Sequence, residues 1–258
     1  MVARECQPSG GSRVSTKEKI TAAPTEAIEF EVTEHHFEAT SRSGPVSALL
    51  MNPPAADCLL VLAHGAGAGM RHSFMETLVA RLAAQRIATF RYQFPYVENG
   101  LRRPDFQPIL LKTVRSAVAA ASALSDGLPL FAGGKSMGGR MTSLATAKEP
   151  LEAVQGIVFV GFPLHPAKKP EIERSEHLGQ VGVPMLFLQG TRDKLAQLDF
   201  LEPVCQDLAE RATLHLVEGA DHGFHVLKRS GRTDDEVQDE LADVARSWID
   251  ELTHREHH

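Results

Sequence analysis

Along the chain, apolar and polar positions first alternate and then cluster. In AIEFEVTEHHF, Ile28, Phe30 and Val32 alternate with Glu29, Glu31 and Thr33, the period of a strand with one face in water. Ser43, Gly44 and Pro45 supply a turn, and VSALLM (46–51) reads as the antiparallel partner. From Cys58 the rhythm changes to short apolar runs, each followed by a loop and an amphipathic helix. The runs are CLLVLAHG (58–65), IATFRY (87–92), LPLFAGG (128–134), VQGIVFVGF (154–162), VPMLFLQG (183–190) and ATLHLVEG (212–219). Continuous apolarity of this kind suits parallel strands covered by helices above and below. Between and after them, segments 73–85, 105–124, 136–147, 198–210 and 234–252 are amphipathic at helical spacing. Alternation of strand and helix forces parallel pairing with right-handed crossovers. The pattern therefore predicts one α/β domain over 27–252: a doubly wound, mostly parallel sheet of about eight strands with an antiparallel N-terminal hairpin. Residues 1–26, rich in Ser, Gly, Thr and Lys and without periodicity, read as a flexible tail, and 253–258 as a short C-terminal tail.

Composition narrows the function classes. The 258 residues are 43% hydrophobic and 23% charged, ordinary for a globular chain. A chain of this length buries roughly 70–75% of its unfolded surface, so its core needs no disulfide or metal to hold it. Lys and Arg number 27 against 33 Asp and Glu, a formal charge of −6, and no basic stripe appears, so nucleic acid is not the expected partner. Cys6, Cys58 and Cys205 are odd in number and far apart; they form no C-x-x-C and read as small buried hydrophobes. No apolar stretch reaches the ~18 residues of a membrane span. The first twenty residues lack the apolar core of a secretory signal. A reducing, cytoplasmic setting, no membrane and a small-molecule substrate are expected; nothing points to a protein partner.

In a doubly wound sheet, ligand chemistry sits outside the carboxyl ends of the strands, so the residues that follow each run matter most. LPLFAGG is followed by Gly134-Lys135-Ser136-Met137-Gly138, a G-x-S-x-G between a strand and a helix, as a nucleophile elbow requires. A hydroxyl needs a base, itself oriented by a third group. VPMLFLQG leads into Thr191-Arg192-Asp193, and ATLHLVEG into Ala220-Asp221-His222. The chain order Ser136, Asp193, His222 is that of a triad on such a sheet. Asp199 is the alternative acid and His225 the weaker alternative base. After CLLVLAHG, the run His64-Gly65-Ala66-Gly67-Ala68-Gly69 brings a backbone N–H toward a developing oxyanion, assigned to Ala66, with the N–H of Met137 as second donor. His64 has no second metal ligand at a suitable spacing and reads as a brace for this loop; no metal site is expected. Arg71 and Arg91 are candidates for a substrate carboxylate or phosphate, which a guanidinium grips bidentately. Phe162 and His165, after another strand end, are candidates for the substrate pocket.

Taken together, LAHGAGAGMRH, FRYQFPY, GGKSMGGR, GFPLHPAKKPE, LFLQGTRD and GADHGFHV resemble the lid-less α/β-hydrolase family. They are most similar to its branch containing the testis-expressed and NSL-complex-subunit hydrolase-like proteins and the dienelactone-hydrolase-like proteins. The resemblance covers roughly residues 45–250 and implies a Ser-Asp-His hydrolase without cap domain, carried here by Ser136, Asp193 and His222, and needing no cofactor. It implies esterase-type acyl transfer but supplies no substrate. Two alternatives stay open: a thioesterase or peptidase with the same triad, and a hydrolase-fold module whose task is binding.

Overall fold

The computed structural model of the chain describes residues 14–18 and 30–255. Residues 1–13 and 19–29, which hold most of the expected tail and the expected start of the first strand at Ile28, lie outside the described residues, as do 256–258. Among the described residues, nine strands form one sheet in the order β1-β2-β3-β5-β4-β6-β7-β8-β9. β2 (Phe30–Thr40) and β3 (Gly44–Met51) make the expected antiparallel hairpin, and β3 runs antiparallel to β5 (Ile87–Tyr92). From β5 across β4 (Cys58–Ala63), β6 (Leu130–Lys135), β7 (Val154–Val160), β8 (Met185–Gly190) and β9 (Ala212–Val217), every pairing is parallel. These eight strands are the expected ones. The ninth, β1 (Val14–Glu18), adds antiparallel to the free edge of β2, within the stretch whose sequence carries no period. An edge strand takes its hydrogen bonds from its neighbour and needs no apolar face of its own, which is why VSTKE gave no signal.

Each buried strand sends alternate residues to opposite faces. Leu60 and Leu62 of β4 pack with α1 (Ser73–Ala84) and α6 (Asp234–Arg255); Leu59, Val61 and Ala63 pack with α3 (Gln107–Leu124) and α4 (Met137–Lys148). A third cluster joins Phe159 and Phe187 to α5 (Leu198–Asp207) through Leu201 and Cys205. A short helix, α2 (Pro95–Glu98), follows β5. Cys58 and Cys205 are buried free thiols, and loss of hydration pushes both up to about 12. None of the described helices is long and apolar enough to cross a membrane.

Two features of the topology place the site. The chain steps from β4 outward to β5 and then returns to lay β6 on the other side of β4, so the connections leaving β4 and β6 diverge and open a crevice at their carboxyl ends. The connection from β7 to β8 carries a single 3-10 helix, Glu173–Gln180, and no inserted cap domain.

Candidate active site

Ser136 stands between β6 and α4 with φ +52° and ψ −117°, a conformation that costs a residue with a Cβ about 1–3 kcal/mol. The neighbours make the turn possible. A Cβ on Gly134 would lie 2.3 Å, and one on Gly138 2.4 Å, from the Ala63 carbonyl oxygen, so only glycine lets the elbow press against the end of β4. The strain is spent on lifting Oγ out of the sheet and over the first turn of α4.

His222 is held by its own loop. Asp221 accepts the Gly223 and His225 N–H groups on Oδ1 at 2.8 and 3.0 Å, and Phe224 takes φ +65° to close the turn. His222 Nε2 then lies 2.8 Å from Ser136 Oγ, and Nδ1 2.7 Å from Asp193 Oδ2. A carboxylate only accepts, so Nδ1 carries the proton and Nε2 is left to take one from the serine. Asp193 is 4% exposed. Its Oδ1 accepts the Leu195 N–H at 2.7 Å, and its Oδ2 also accepts the Gln189 carboxamide at 2.5 Å. Gln189 Oε1 in turn accepts the Phe162 N–H at 2.9 Å. The acid is thereby fixed to β8 and to the loop after β7. Asp193, and not Asp199, meets His222; His225 turns instead to Asp234 at 2.7 Å.

Lys135 points its ammonium at the same loop, donating to the His222 carbonyl at 2.6 Å. The ammonium lies 5.7 and 5.4 Å from the ring centres of Phe74 and Phe224, within cation–π range. Burial pulls its pKa down to about 8, opposed by the charges of Asp193 and Asp221.

The loop after β4 comes close to the serine: a Cβ on Gly65 would sit 3.7 Å from Ser136 Cβ. His64, fully buried, braces this loop. Burial holds its pKa near 4, so the ring is neutral, donating from Nδ1 to the Gly65 carbonyl at 2.8 Å and accepting the Phe94 N–H on Nε2 at 3.2 Å. Ala66 faces the cavity beside Ser136. Met137 opens α4, and first-turn amides have no partner inside their helix.

A cavity of about 520 Å³ opens over Ser136 and His222, walled by Ala66, Phe74, Lys135, Leu195, Phe224 and Gln238. None of the four expected substrate contacts lines it. Arg91 is fully buried, because β5 is covered on both faces; it donates to the Met70 carbonyl at 3.1 Å and faces Glu76 at 3.9 Å. Phe162 is core, with ring centres 5.0 Å from Phe159 and 5.8 Å from Phe187. His165 is also buried: it donates from Nδ1 to the Pro166 carbonyl at 2.9 Å and accepts the Gln197 N–H at 3.1 Å, pinning two loops together. Arg71 is exposed and lines a neighbouring hollow of about 390 Å³ rather than this cavity. A second serine–histidine contact, Ser143 Oγ to His177 Nε2 at 2.7 Å, is structural, since Ser143 is fully buried and outside the cavity wall.

The residues that sequence reasoning missed have ordinary patterns. Gln189 ends an apolar strand and looks like its cap. Phe74 and Phe224, stacked with centres 5.8 Å apart, look like core. Gln238 left one signal, a polar residue on the helix face of Leu241, Ala242 and Ala245.

The model of the alpha/beta hydrolase domain family matches residues 56–250. Among solved structures of similar fold is the dienelactone hydrolase of Anabaena variabilis, 20% identical over 85% of this chain and 97% of that one, with a TM-score of 0.65. A lid-less α/β serine hydrolase of Xanthomonas campestris is 19% identical over 89% and 98%, TM-score 0.65. The esterase domain of a Rhodothermus marinus protein is 15% identical over 84% and 97%, TM-score 0.61. A strained serine at a strand-to-helix turn on a doubly wound, lid-less sheet is the architecture of the α/β hydrolases. This chain belongs to the alpha/beta hydrolase domain family.

Proposed function

We propose that this protein is a serine hydrolase that cleaves a small soluble ester, or a related acyl compound, through an acyl-enzyme. The observation that carries the reading is the unbroken hydrogen-bond chain Ser136–His222–Asp193 opening on a cavity. In this reading His222 Nε2 takes the hydroxyl proton as Ser136 Oγ attacks the acyl carbon, and Asp193 stabilises the imidazolium and holds its tautomer. The N–H groups of Ala66 and Met137 receive the oxyanion, each worth about 10²–10³ in rate. His222 gives its proton to the leaving group, and water reverses the sequence to free Ser136. This chemistry uses no metal or organic cofactor. An uncapped crevice of about 520 Å³ suits short, soluble acyl compounds. Two buried free thiols suit a reducing cytoplasm.

The test is turnover of short para-nitrophenyl esters by the wild type, Ser136→Ala and His222→Ala. The reading expects wild-type turnover and a fall in kcat of about 10³ or more in each variant. Full turnover by Ser136→Ala would remove it.

A further inference from the structure

The cavity wall is chemically mixed. Ser136 and His222 share it with the stacked rings of Phe74 and Phe224. The first two turns of α6 add Asp234 and Gln238, and α1 adds Thr77. Asp234 is already engaged, with Oδ2 on His225 Nδ1 at 2.7 Å and Oδ1 on the Val226 N–H at 2.9 Å. Gln238 is not. It is 9% exposed, and among the described residues its Oε1 is buried with no hydrogen-bond partner. A buried carboxamide oxygen left unpaired costs folding free energy, and a leucine on this helix face would avoid that cost. Unlike the unpaired hydroxyls of Thr89 and Tyr92 in the core, Gln238 stands on a cavity wall, where a partner from outside the chain can meet its carboxamide.

We propose that the part of the cavity walled by Gln238 is a polar subsite that takes a hydrogen-bonding terminus, a hydroxyl or an amide N–H, on one arm of the substrate. The apolar stretch at Phe74 and Phe224 holds the methylenes or aryl group leading to it. The terminus is neutral. A carboxylate would lie beside the Asp234 carboxylate while the Lys135 ammonium is engaged by the His222 carbonyl, and an ammonium would lose its water beside an Asp234 already paired with His225. A hydroxyl both gives and takes a hydrogen bond, so it satisfies the carboxamide in either orientation of its oxygen and nitrogen. The subsite lies in the cavity assigned above to hydrolysis, and it is tested apart from that reading.

The probes are ethyl ω-hydroxyalkanoates against the matching ethyl alkanoates, from butanoate to octanoate, and monoacetates of α,ω-diols against the matching alkyl acetates. Binding is measured by calorimetry on Ser136→Ala, which keeps the cavity and cannot turn over. In one series, at the length that spans the cavity, the hydroxyl-ended ester is expected to bind about tenfold or more tighter than its methyl-ended partner. Gln238→Leu added to Ser136→Ala should abolish or reverse that preference, while its melting temperature stays at or above that of Ser136→Ala because an unpaired buried oxygen is gone. Should the leucine variant fold poorly, Gln238→Met carries the same expectation. Equal affinity of both chain ends at every length in both series overturns the subsite, and so does a preference that survives in Gln238→Leu and Gln238→Met. Wild-type turnover of the same esters is read separately: a hydroxyl preference in binding without turnover would leave the subsite standing and remove the hydrolase, and turnover without the preference would do the reverse.

Discussion

Asp193 shows how much a single side chain depends on its supports. Its two oxygens accept from His222, Leu195 and Gln189, and Gln189 passes the fixation on to the Phe162 backbone. Replacing Gln189 by leucine takes one donor from the carboxylate and leaves the Phe162 N–H unpaired. Supports of this kind typically contribute 10–100-fold to the site they orient. Gln189→Leu should therefore lower kcat for short esters about tenfold or more with KM nearly unchanged, and lower the melting temperature; steady-state kinetics and a thermal melt read both. A KM rise with unchanged kcat would mean that Gln189 touches substrate instead. At this scale the meeting of Ser136, His222 and Asp193 was legible because each follows a strand end in a fixed order, and chain order survives folding. The reach of Arg91, Phe162 and His165 was not, because a strand-end position does not say on which side of the covered sheet a side chain falls. Gln189 was hidden for the same reason: its role lies in two contacts distant along the chain.

Two short elements hold the site in place through neutral histidines. His64 fastens the loop after β4 to Phe94, and His177 fastens the 3-10 helix Glu173–Gln180 to Ser143 on α4. Burial lowers the pKa of each from 6.5 to about 4, with nearby Arg140 adding to the effect at His177. The unfolded chain therefore binds more protons than the folded one between about pH 6.5 and about pH 4, so stability falls as pH falls through that window and is retained above it. Urea midpoints measured from about pH 7 down to about pH 4.5 should decline, and the decline should flatten in a His64→Gln/His177→Gln variant. An unchanged slope in that variant would assign the acid sensitivity elsewhere. Element types were readable from period: the amphipathic stretches became α1, α3, α4, α5 and α6, and the apolar runs became β4 to β9. The pairing of α1 with α6 was not readable. It rests on Arg81 reaching Asp235 at 2.8 Å and Asp239 at 2.7 Å and on apolar side chains such as Leu78 and Leu241, and both helices contribute to the cavity wall.

For the molecule as a whole, topology decides where chemistry can happen. Strand order reverses between β4 and β6, and the elbow, the small-residue loop and the histidine loop all open at that crevice. The strand–helix alternation made this much of the fold legible, because a parallel sheet admits few connections. β1 escaped because a strand added at the edge of β2 pairs through its backbone, which leaves no period to read in the sequence. The central claim is that Ser136 is an activated nucleophile. The most direct measurement is intact-mass analysis after exposure to a fluorophosphonate, for wild type, Ser136→Ala and His222→Ala. The account predicts one adduct per chain on the wild type, none on Ser136→Ala and a rate on His222→Ala lower by about 10² or more. A folded wild type that takes no label would contradict it and leave Ser136 as a residue of the turn, in a hydrolase fold whose task is binding.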